Sequence, residues 1–80
     1  MTIKDSAVFV LRKKNTPMYI EDILDKIISM KLYDFGARDP LSVLRIEIAR
    51  SCDNMYYSKE YQVKYFHRED DGRFRLIDVI

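Results

Sequence analysis

The sequence predicts an α+β domain of the winged helix-turn-helix type, with three helices and a small antiparallel sheet ending in a hairpin wing. Three observations predict it. A proline-initiated amphipathic stretch begins at Asp39 and reads as a third helix. Two earlier stretches repeat apolar residues at helical spacing. Two alternating stretches near the C-terminus flank Asp70-Asp71-Gly72 and read as a hairpin.

Ile3 to Lys14 reads as the first helix, with Ile3, Ala7, Val10 and Leu11 on one face and Val8 and Phe9 flanking it. Thr2 or Asp5 can cap its start. Arg12-Lys13-Lys14 place positive charge where the helix dipole favours it, and a phosphate contact is the other reading of that triplet. Asn15-Thr16-Pro17 ends the helix, because a proline disfavours helical backbone in the residue before it. Met18-Tyr19 can supply a third strand. A second helix is expected from about Glu21 to Lys31, with Ile20, Ile23, Leu24, Ile27, Ile28 and Met30 in one wide arc. Glu21, Asp22 and Asp25 suit its N-terminal half and read as a solvated face, since no nucleophile or metal set accompanies them.

In the turn that follows, Leu32 and Phe35 are expected to plug the core and Gly36 to take a positive φ. Asp39 is a good N-cap, and Pro40 stands at the first helical position, where its missing N–H costs nothing. Across the third helix, Leu41, Leu44, Ile48 and Cys52 fall in one arc, with Ala49 at its edge and Arg45 at its margin. Ser42, Val43, Ile46, Glu47 and Arg50 face the other way. The polar stretch Asn54–Gln62 holds Tyr56, Tyr57 and Tyr61, which either stack on bases or pack over the hairpin. Val63–Arg68 and Arg73–Val79 are the two strands. A three-residue loop with Gly72 left-handed sets Phe66 opposite Leu76 and Arg68 opposite Phe74. Phe66, Phe74 and Leu76 then point inward, and His67, Arg73 and Arg75 outward.

Eighty residues, 48% hydrophobic and 34% charged, describe one folded domain spanning 1–80. A net charge of +1 means that nucleic-acid binding has to rest on a local patch. Cys52 stands alone, so no internal disulfide or cysteine zinc cage forms within one chain; it reads as a small core residue, compatible with a reducing, intracellular setting. No signal peptide is evident and no apolar run approaches the ~20 residues of a membrane span. His67 is the only histidine and Gly36 and Gly72 the only glycines, which leaves no nucleophilic pair, phosphate loop or metal-ligand spacing. The expectation is a chain that is not an enzyme, with no catalytic residues, no metal, no cofactor and no small-molecule substrate. An intracellular location, in cytoplasm, nucleoid or nucleus, goes with it.

Several motifs in order resemble the HARE-HTH winged-helix family. They are Ala7-Val8-Phe9-Val10-Leu11, then Thr16-Pro17-Met18-Tyr19-Ile20-Glu21-Asp22-Ile23, then Asp39-Pro40-Leu41-Ser42-Val43-Leu44, and a closing Asp71-Gly72-Arg73-Phe74-Arg75-Leu76. The resemblance spans about residues 4 to 78. It implies a role in joining regulatory or DNA-modifying proteins to chromatin and DNA. A similar domain begins the delta subunit of bacterial RNA polymerase, where it serves protein assembly.

Two functions therefore stand side by side. In the first, the domain binds double-stranded DNA in transcription regulation or recruitment. Arg45 and Arg50 approach the groove, Arg38 holds a phosphate, Arg68, Arg73 and Arg75 lay the wing along the backbone, and Lys64 adds a further contact. Arg73 and Arg75 lie about 7 Å apart on one strand face, or else pair with Glu69, Asp70 or Asp71. In the second, the domain docks a protein of a transcription or DNA-modification complex through Val43, Ile46 and Arg50.

Overall fold

Thr2 starts the fold: its Oγ1 accepts the Asp5 N–H at 3.0 Å and opens α1, Ile3–Lys14, which closes at Asn15 with φ 56°. The computed structural model describes residues 1–57 and 59–77. Pro17 and extended Tyr19 lead into α2, Ile20–Ser29. Asp39 caps α3, Pro40–Arg50, and the hairpin is β1, Phe66–Arg68, with β2, Phe74–Leu76. The strands pair antiparallel as Phe66 with Leu76, His67 with Arg75 and Arg68 with Phe74, the register read from the sequence. Gly72, at φ 94°, donates its N–H to Glu69 O and lets the loop close.

Several boundaries are tighter than expected. The second helix stops at Ser29 because Lys31, at φ 55°, reverses the chain there. The Lys31 N–H goes back to Ile28 O and the Leu32 N–H to Ile27 O, a Schellman closure built without glycine. Leu32 and Phe35 pack against the core as expected, and Gly36 has φ 58°. The third helix stops at Arg50 because the carbonyl of Ser51 is taken by the Tyr65 and Phe66 N–H groups, at 2.8 and 3.1 Å. Cys52 therefore lies beyond the helix. It pairs in parallel with Phe66, and its burial pushes the thiol pKa up. The strands are three residues each, shorter than Val63–Arg68 and Arg73–Val79, with Asp78 and Val79 outside the described residues. Met18 supplies the third-strand position as one bridge, trading both backbone hydrogen bonds with Phe74 at 2.9 and 2.7 Å.

Val10, Leu11, Ile23, Ile27, Leu44, Ile48, Phe66 and Phe74 are buried together, and Leu76 is half-buried against them. Burying each such side chain is worth about 1.5–3 kcal/mol of transfer free energy, which a domain this small requires. Ser6, also buried, donates its hydroxyl to Thr2 O at 2.9 Å. Ser51 Oγ is buried without a partner among the described residues. Among the described residues, no helix is long and apolar enough to cross a membrane.

Candidate nucleic-acid interface

The N-terminus of α3 is fixed by Asp39, whose Oδ1 accepts the Ser42 N–H at 3.2 Å and whose Oδ2 accepts the Ser42 hydroxyl at 2.6 Å. The Ser42 hydroxyl first, and its N–H second, hold the Asp39 carboxyl below the usual aspartate range. Along the outward face, Arg45 is exposed, although periodicity places it at the margin of the core arc. Ile46 is 43% exposed, whereas Val43 is half-buried.

Arg50 is engaged at its own helix end. Its Nε donates to Lys59 O at 2.7 Å, its guanidinium lies 4.0 Å from the Tyr61 ring centroid, and one terminal nitrogen is 3.7 Å from Glu47 Oε2. The Tyr61 hydroxyl donates to Glu47 Oε1 at 3.3 Å. Tyr61 thus packs back on α3 instead of over the hairpin, a placement with no periodic signal in the sequence. Tyr56 is open to solvent and Tyr57 half-buried. Lys64 Nζ lies 3.5 Å from Glu60 and 3.5 Å from Arg50 O.

The wing is less basic than its arginines suggest. Arg73 Nε meets Asp71 Oδ2 at 2.8 Å, and the Arg73 N–H and guanidinium together hold the Asp71 carboxyl below its usual range. Arg75 Nε lies 3.6 Å from Glu69, and His67 Nδ1 is 2.8 Å from Asp53. Arg68 is anchored by its backbone, which exchanges hydrogen bonds with the Asn54 side chain at 2.8 and 2.9 Å, while its guanidinium lies over Gly72. With Glu69, Asp70 and Asp71 beside Arg68, Arg73 and Arg75, the hairpin is neutral overall.

Of the seven cations read from the sequence, Arg38, Arg45 and Arg68 have no ion-pair partner among the described residues; Arg50, Lys64, Arg73 and Arg75 do. The densest unpaired charge lies elsewhere, at the C-terminal end of α1. Arg12, Lys13 and Lys14 are exposed there and form no ion pair among the described residues. Arg12 shares a shallow groove with Asn15, Thr16 and Arg75, and Lys14 shares another with Lys26, Tyr19 and Arg73 but also with the carboxylates of Asp22 and Asp25. The Met18–Phe74 bridge brings this about, because it lays β2 beside the segment that leaves α1. Arg38 stands apart, at the connection between α2 and α3. No group of three or more His, Cys, Asp or Glu side chains is arranged to hold a metal among the described residues.

A family model named HARE-HTH, whose description includes ASXL and a restriction endonuclease HTH domain, matches residues 1–77. No curated protein matches the chain, and no solved structure does.

Proposed function

The chain belongs to the HARE-HTH family of helix-turn-helix DNA-binding domains, and from that premise we propose that it holds transcription-regulating or DNA-modifying machinery on double-stranded DNA without catalysing a reaction itself. The observation that carries this reading is the run of unpaired cations Arg12, Lys13 and Lys14 beside Arg75. Phosphate contacts supply most non-specific affinity for DNA, and unpaired exposed cations make them without first giving up a partner. Arg73 and Arg75 can join by exchanging Asp71 and Glu69 for phosphate, since exposed ion pairs stabilise by only about 0–1 kcal/mol.

Base reading is limited on this account. The exposed centre of α3 offers Arg45 beside Ile46, and a single arginine distinguishes few base pairs. Binding is therefore dominated by the backbone and tolerant of sequence. The protein works inside the cell, where its DNA is.

A salt titration of unrelated labelled duplexes tests this. Replacing Arg12, Lys13 and Lys14 together by glutamine is expected to flatten the plot of log affinity against log salt by about 2–3, near 0.9 per lost phosphate contact. Arg73→Gln with Arg75→Gln is expected to change it less. A triple variant that binds like the parent, or a parent that binds no duplex at low salt, refutes the reading.

A further inference from the structure

The apolar arc read for the second helix includes Ile28 and Met30, yet Ile28 is 52% exposed and Met30, the residue that caps the end of α2, 38%. The cause is the reversal at Lys31, which ends the helix early and sends Leu32 to the core in place of another helical turn. Ile28 is left lining an open groove of about 760 Å³ together with the α2–α3 connection. Along that connection Tyr33 and Phe35 meet edge to face, ring centroids 5.1 Å apart. Both are half-buried and packed on the core from behind, so the groove presents a formed apolar surface.

The charge in its lining is net positive, two cations against one carboxylate. Lys31 and Arg38 line the same groove, both exposed and both without an ion-pair partner among the described residues. The one carboxylate in the lining, Asp34, already accepts the Gly36 N–H at 3.2 Å. A DNA backbone brings phosphates but nothing apolar to cover Ile28 and Phe35. A peptide with apolar anchors between carboxylates satisfies both parts. We propose that this groove docks an acidic, amphipathic segment of a partner protein, its apolar side chains against Ile28 and Phe35 and its carboxylates on Lys31 and Arg38. The groove shares no residue with the α1 cations that carry the DNA-binding reading, although Arg38 is also one of the phosphate contacts read from the sequence.

The probe is a synthetic peptide of about 12 residues in which Asp and Glu alternate with Leu and Phe, titrated into the full chain while its amide and methyl resonances are followed. One control peptide replaces Leu and Phe by Ser, and another replaces the acids by Lys. The acidic amphipathic peptide is expected to shift Ile28, Phe35 and Arg38, and neither control to do so. Ile28→Asp, and Lys31→Glu with Arg38→Glu, are each expected to weaken binding by about tenfold or more with the remaining spectrum unchanged. Equal binding of the serine control would reduce the effect to general charge attraction and overturn the proposal. So would no shift in the groove at about millimolar peptide, or a duplex DNA that shifts these same resonances. A concentration-dependent dimer abolished by Ile28→Asp would make a second copy the occupant and overturn it equally.

Discussion

The guanidinium of Arg50 and the ring of Tyr61 stack at 4.0 Å, closing the loop after α3 back onto its last turn. Such a pair at a partly exposed site is worth about 0.5–1 kcal/mol. Tyr61→Leu is expected to lower stability by about that amount in urea unfolding, and Tyr61→Phe by less, because the ring stays and only the hydrogen bond to Glu47 goes. Equal losses would assign the effect to the hydroxyl.

Lys31→Gly is expected to stabilise the domain. A non-glycine residue in the left-handed region costs roughly 1–2 kcal/mol, partly offset by about 0.5–1 kcal/mol of extra chain entropy in the unfolded glycine variant. The unfolding midpoint should rise in Lys31→Gly and stay near that of the parent in Lys31→Ala. A fall in the glycine variant would show that the Lys31 side chain itself stabilises the turn.

Leu44 is fully buried between the three helices, and Leu44→Ala is expected to cost about 2–5 kcal/mol. Ile46→Ala, two positions along on the outside, is expected to stay within about 0.5 kcal/mol of the parent. Ser51→Ala is the contrasting buried change. Its hydroxyl has no partner among the described residues, so removing it is expected to be neutral or stabilising by equilibrium unfolding.

Acid should weaken the fold through Asp39 and Asp71, whose carboxyls are held below the ordinary value of 3.8. A depressed pKa gives stability that is present in full above the unfolded value. It declines as pH falls past 3.8 and is gone below the folded-state value. Unfolding midpoints measured downward through that window are expected to drop, and to drop less in Ser42→Ala, which lacks the hydroxyl that contributes most to Asp39. The same acid dependence in Ser42→Ala and parent would remove Asp39 from the account.

Much of this fold is legible in the chain because the deciding interactions are local. Thr2 and Asn15 bound α1, Asp39-Pro40 starts α3, and Gly72 with alternating Phe66, Phe74 and Leu76 sets the hairpin register. The departures come from partners distant in sequence or from an unusual residue. Lys31 takes a backbone conformation that glycine would have announced. Cys52 leaves the helix because Phe66 and its neighbour capture the carbonyl before it. The candidate interface is less legible still. Which arginines are neutralised depends on side-chain pairings such as Arg73 with Asp71, and pattern alone shows the charges without showing the pairs.

The hairpin is closed on both flanks by single residues, Met18 beside β2 and Cys52 beside β1. A two-stranded ribbon is marginal by itself in water, and a long bare edge recruits further strands from other molecules. Here the strands are three residues long, and each already has its outer partner at its phenylalanine. Through the described residues, neither edge leaves a ladder long enough to template another chain, which protects the domain from edge-to-edge aggregation at high local concentration.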